Sequence, residues 1–171
     1  MRLILLITLA FTSSQVFGQL IRWNTTAIDK QEYNQCIVAQ PSFNKPPADD
    51  TLVTDDLKFK ILGTLKGLSL FTFMKSIPDN KIYMANNETG WVDELLGFPV
   101  FSPSLKTFVS FGDGSGQQLI RVYEIRSKKV NTKFDVPFFK TATEISCVTD
   151  SSFCVKDISE NYWKYSFHNA R

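Results

Sequence analysis

The chain has 171 residues, 43% of them hydrophobic and 21% charged, with a formal net charge of +2. That length supports one domain with its own core, and mixed, nearly balanced charge gives no basic footprint for nucleic acid. One histidine and three cysteines fall short of a zinc site made of several histidines or paired cysteines, and no cofactor motif is present.

Met1-Arg2 precedes an unbroken apolar stretch from Leu3 to Phe11, then polar Thr12 to Gln15 and the tripeptide Val16-Phe17-Gly18. This order predicts a secretory signal peptide over 1–18, a mature chain that starts at Gln19, and a secreted or periplasmic protein. No later apolar run approaches the ~20 residues of a spanning helix. Residues 19–56 form an N-terminal segment and loop. Thr26 followed by Asp29 predicts the cap of a short helix, with Ile28, Tyr33, Cys36 and Ile37 on one face. Pro41, Pro46, Pro47 and the aspartates to Asp56 predict an exposed loop.

From Leu57 to the C-terminus the period becomes two. Leu57, Phe59 and Ile61 alternate with Lys58 and Lys60, and Leu68 to Ile77 makes the return strand. Lys81 to Ala85 is a third strand. Trp91 to Leu96 reads as a helical turn that Gly97 stops in the left-handed position. Thr107 to Phe111, Leu119 to Ile125 and Val130 to Phe139 resume the β pattern. Glu144 to Val148, Phe153 to Asp157 and Tyr162 to His168 complete it. The expectation is one all-β domain over 57–171, a meandering sandwich or barrel of about eight strands, with the N-terminal segment docked on it.

Within Gly97 to Ile125, the residues Phe101, Ser102, Pro103, Lys106, Phe108 and Val109 form a Ser-Pro turn with a lysine before a strand. This resembles one blade motif of TolB-like and WD40-like β-propellers, with Ser104-Leu105 where those blades carry Asp-Gly. The single copy and the "FGQ" signal ending are similar to short secreted single-domain proteins of Bacteroidetes-type bacteria. The resemblance implies a style of fold and no chemistry.

The run Gly112 to Gly116 lacks the GK[ST] ending of a phosphate loop and the spacing of a dinucleotide fingerprint, and reads as a flexible hairpin loop. His168, near the C-terminus, is the one residue a histidine-based triad would need. Among the carboxylates, Asp49, Asp50, Asp55, Asp56, Asp93 and Glu94 are the candidates for an acid pair of a hydrolase. Trp91, Tyr162, Trp163 and Tyr165 are the candidate binding aromatics, with core packing as the competing role for each. Asn24-Thr25-Thr26 and Asn87-Glu88-Thr89 fit the N-glycosylation acceptor pattern.

Secretion permits a disulfide. Thr149 to Ser152 is a run of turn formers between two β-like arms. A four-residue loop there places Cys147 opposite Cys154, which predicts a bridge between them and leaves Cys36 free. The functional expectation is a secreted, non-catalytic β domain that binds a protein or a glycan, a periplasmic inhibitor or immunity protein being a specific case. The competing readings are a small carboxylate-dependent hydrolase and a homodimer in which an identical copy closes the sheet.

Overall fold

The computed structural model describes residues 21–36, 43–44, 51–53, 58–65, 67–77, 79–114, 117–126, 128–137 and 141–169. Residues 1–18, predicted as a signal peptide, and Gln19, Ile37, Leu57, Asp49, Asp50, Asp55 and Asp56 lie outside the described residues.

The fold is all-β, in three antiparallel sheets, with one short helix among the described residues. The N-terminal sheet has the order β2 (Phe43–Asn44), β4 (Lys58–Leu65), β5 (Leu68–Ser76), β6 (Ile82–Asn86) and β7 (Val92–Leu95). β3 (Thr51–Val53) also pairs with β4. The middle sheet runs β11 (Lys129–Pro137), β10 (Gln117–Arg126), β9 (Thr107–Gly114), β8 (Val100–Phe101). The C-terminal sheet runs β1 (Ile21–Ile28), β14 (Tyr162–Asn169), β13 (Ser152–Asp157), β12 (Ala142–Ser146). Each sheet is built from neighbouring strands in sequence, except that β1, the first strand described, returns to pair with β14 over its full length.

The alternation of apolar residues explains how the sheets stack. In the middle sheet, Val109, Ile120, Val122 and Val136 face a core shared with Ile145, Phe153, Val155, Tyr165 and Phe167 of the C-terminal sheet. Phe108 and Tyr123 face the opposite way, into a core with Phe71, Phe73, Ile82, Met84 and Leu95 of the N-terminal sheet. The middle sheet is therefore buried on both faces. Full burial of each such aliphatic or aromatic side chain contributes roughly 1.5–3 kcal/mol. Rings reinforce both cores: Phe108 stacks on Tyr123 at 4.5 Å, and Phe153 on Tyr165 at 5.0 Å.

Three expectations need correction. Four- and six-stranded sheets give more strands than the expected eight, because β1 and several two- or three-residue strands carry little periodic signal. Trp91 to Leu96 is not a helical turn. Val92–Leu95 is strand β7, paired with β6, and Gly90, at φ 70°, takes the left-handed position in the turn before it. Gly112 and Gly114 are part of strand β9, not of a loop, and Gly114 pairs with Gln117. Gly112 is required by packing. A Cβ there would meet the Leu96 carbonyl oxygen at 2.1 Å, and one on Gly97 would meet that of Phe111 at 2.0 Å. The two backbones cross in contact where the β7–β8 connection passes β9.

Helix α1 (Lys30–Gln35) begins one turn later than Thr26 implied. Its N-cap is Asp29, whose side chain accepts from the Glu32 N–H at 2.8 Å, the usual satisfaction of a free helix-end donor. Thr26 belongs to strand β1. Tyr33 is the buried residue of the helix.

Candidate functional site

The four aromatics singled out in the sequence do not form one surface. Tyr165 is buried and stacked on Phe153, and Trp163 packs on the same core while its indole N–H donates to Asp157 at 3.2 Å. Tyr162 is buried on the opposite face of β14, its ring 4.7 Å from that of Tyr33. Trp91 alone is half-buried outside the cores, in the turn before β7. The core reading therefore holds for three of the four, because alternate residues of β14 are each covered, by the middle sheet on one side and by α1 on the other.

Two aromatics outside those four are exposed among the described residues, Phe98 at 53% and Trp23. Trp23, 44% exposed, sits on β1 with its ring 6.0 Å from that of Tyr165. β1 is the last strand of its sheet, so one rim of its backbone has no strand partner among the described residues. Residues Trp23 to Ala27 are all exposed.

The cysteines meet where α1 lies on the outer face of the C-terminal sheet. The bridge joins Cys36 to Cys147, with Cα atoms 5.3 Å apart, and Cys154 keeps its thiol. The expected Cys147–Cys154 bridge, with Cys36 free, is thus corrected. The hairpin is slipped by one residue, with Ser146 and not Cys147 opposite Cys154, and a one-residue slip turns a side chain to a different direction. Cys147 has left the ladder at φ 55°, and its sulfur turns to the helix. Cys154 projects outward between the inward-facing Phe153 and Val155 and lies, like Cys147, in a small cluster with Tyr33 and Tyr162.

The thiol of Cys154 is 3.8 Å from the Cys36 sulfur. Bridged sulfurs carry no proton, so Cys154 is the donor in that contact. The Tyr33 carbonyl oxygen lies 3.2 Å from the Cys36 sulfur and 3.6 Å from that of Cys147. A small cavity opens onto the three sulfurs, lined also by Glu32, Thr149, Ser152 and Lys164. Burial pushes the Cys154 thiol up to about 11, with Lys164 pulling weakly the other way. A thiol held this way is protonated at neutral pH and a poor nucleophile. Burial likewise pushes the Tyr33 hydroxyl up to about 12.

Several of the described carboxylates have structural partners. Glu94 pairs with Lys81 at 2.8 Å and Asp135 with Arg121 at 2.6 Å. Asp157, fully buried, accepts from the Ser159 and Asn161 N–H groups at 2.9 Å each. Burial works against the Asp157 charge, but the bonds from Asn161, Trp163 and Ser159 outweigh it and hold the carboxyl at about 2. The Ser76 hydroxyl lowers Asp79, and Lys156 lowers Glu160. Asp150 also lies low: burial opposes, and the hydroxyls of Ser104 and Ser102 prevail. A glycosidase acid needs a carboxyl shifted the other way. Asp93 and Glu94 are neighbours on exposed strand β7, and His168 is exposed on β14. The two acceptor asparagines differ: Asn87 is held by Thr72 at 2.7 Å and by the Ser69 carbonyl at 3.0 Å, whereas Asn24 lies exposed on β1.

No family model, no curated protein and no solved structure matches the chain. What the fold and the cysteine cluster define is a class: an all-β domain of three stacked sheets whose helix is fastened to the last sheet by a disulfide. No helix among the described residues is long and apolar enough to cross a membrane.

Proposed function

We propose that the chain is an exported, non-catalytic β domain that binds a protein partner along the edge of its C-terminal sheet, in the manner of a periplasmic inhibitor or immunity protein. The observation that carries this reading is Trp23, a large aromatic 44% exposed on an edge strand. Tryptophan is enriched among the residues that dominate interface energy, and a free strand rim accepts an added strand through main-chain hydrogen bonds. The Cys36–Cys147 bridge supports the exported location, since disulfides persist in oxidising compartments. A protein partner is favoured over a glycan because Tyr162, Trp163 and Tyr165 pack inside. The hydrolase reading loses support because, among the described residues, the shifted carboxyls all move down.

The test is affinity capture from the native exported fraction with the immobilised chain and with Trp23→Ala, both checked for the Cys36–Cys147 bridge. A protein retained by the first and lost by the second is expected. Identical captured sets would overturn the edge as the binding surface. Turnover of a polysaccharide or peptide panel by the purified chain would overturn the non-catalytic reading.

A further inference from the structure

We propose that the Cys36, Cys147 and Cys154 sulfurs form a three-thiolate site for a soft divalent metal ion when the bridge is reduced. The observation is one of juxtaposition. Three residues from three separate elements, the end of α1, the strand-leaving position after β12 and the middle of β13, bring their sulfurs within 4.8 Å of one another. The three cysteines form no closely spaced pair in the sequence, yet the fold brings all three together.

The shape of the cluster decides between two uses of a third thiol. In-line attack by Cys154 on Cys36 needs the three sulfurs on a line. With a bond of about 2.05 Å and the 3.8 Å approach, Cys147 and Cys154 would then stand about 5.9 Å apart. They lie within 4.8 Å, so the sulfurs make a triangle. A triangle is what a metal requires. Thiolates at the ~2.3 Å zinc–sulfur distance in a tetrahedral site are about 3.8 Å from each other, which is the Cys36–Cys154 separation already present. The bridged pair has to open, and the Cys147–Cys154 side, within 4.8 Å, has to settle at the same spacing. The fourth position faces the cavity bounded by Glu32, Thr149, Ser152 and Lys164, which leaves room for a water. Three sulfurs with an open fourth position suit Zn²⁺, Cd²⁺ or a similar thiophilic ion.

A phosphine and one water reduce the bridge to two thiols and leave the phosphine oxide. One M²⁺ then displaces three thiol protons and binds three sulfurs. In the oxidised protein two of the three ligands are consumed by the bridge, so the site exists only in the reduced form.

The experiment uses the full chain, reduced with a phosphine under argon, titrated with Cd²⁺ and followed by the thiolate-to-metal ultraviolet band and by circular dichroism. Saturation at one equivalent is expected, with no band from the oxidised protein. Cys154→Ser, which retains the Cys36–Cys147 bridge and can be purified oxidised, should bind Cd²⁺ at least about tenfold more weakly once reduced. If reduction alone loosens the fold, Cd²⁺ should restore the strand spectrum, as binding and folding are linked at such sites. Failure to restore it, absence of a one-equivalent endpoint, or equal affinity in Cys154→Ser each overturns the proposal.

Discussion

The Ser102 hydroxyl donates to the Asp150 carboxylate at 2.8 Å and joins two turns 48 residues apart. Ser104 donates to the same oxygen at 2.6 Å. Ser102 is fully buried, and its oxygen also accepts from the Thr107 N–H at 3.3 Å. The carboxylate therefore ties the Ser-Pro turn of the middle sheet to the β12–β13 connection of the C-terminal sheet.

Asp150→Ala should lower stability by about 1–2 kcal/mol, the cost of removing the acceptor of a charge-assisted bond beside a buried hydroxyl. Because Asp150 is depressed in the folded state, its contribution is present above the ordinary carboxylate range and lost as pH falls below it. Urea unfolding of the two proteins should differ at pH 7 and draw together as pH falls below the ordinary carboxylate range. A difference that persists unchanged in acid would mean that the charge is not the cause.

Asp157 makes a second acid-sensitive tie. Its folded value of about 2 lies below the ordinary aspartate value of 3.8, so its stabilisation is full above about pH 4 and declines as pH drops to about 2. Asp157→Asn should cost stability at neutral pH and flatten the acid limb of the stability curve between those values. Fluorescence of Trp163, whose indole N–H donates to Asp157, reports the change. Parallel acid limbs for the two proteins would sink this account.

The strands from β4 onward, β7 and β8 excepted, were legible because at least one face of each meets a core and the period of two survives in the sequence. β1 was not legible. Trp23 to Ala27 are exposed, so no alternation marks a buried face, and the strand exists because the β14 ladder holds it. β7 escaped for the same reason, since Val92, Asp93 and Glu94 are all exposed. The Ser-Pro turn was legible as a turn, although Leu105 occupies a left-handed position at φ 59° that the blade motif gives to glycine. The Cys36 partner was out of reach of local reasoning. It depends on where α1 docks and on a single left-handed residue, Cys147, that no neighbouring residue type announces.

Gly112→Ala should destabilise by about 1–3 kcal/mol, the usual range for forcing atoms into packed space. The obstacle is the Leu96 carbonyl oxygen, a backbone atom, which cannot swing aside as a side-chain tip can. Gly90→Ala is the informative contrast, because a Cβ there meets nothing within 4 Å and carries only the strain of φ 70°; about 1 kcal/mol is expected. Thermal unfolding that ranks Gly90→Ala as the costlier change would refute the backbone crossing between Leu96-Gly97 and Phe111-Gly112.

The bridge closes a separation of 111 residues, and this makes a prediction distinct from that of a short hairpin bridge. In the chain-entropy account a loop of ~100 residues gains about 4.7 kcal/mol, whereas a hairpin-sized loop gains roughly 2–3. The double variant Cys36→Ser/Cys147→Ser should therefore lose about 2–5 kcal/mol, the range seen when native bridges are removed. Hydrogen exchange should quicken first in α1, whose single buried side chain, Tyr33, gives it little other hold. Non-reducing peptide mapping checks the pairing directly. Cys36 and Cys147 should appear in one linked peptide. Cys154, buried and pushed up to about 11, should resist alkylation at pH 7 until the protein unfolds. Recovery of a Cys147–Cys154 peptide, or rapid alkylation of Cys154 in the native protein, would show that Cys147 has not turned out of the hairpin and that α1 is not fastened to this sheet.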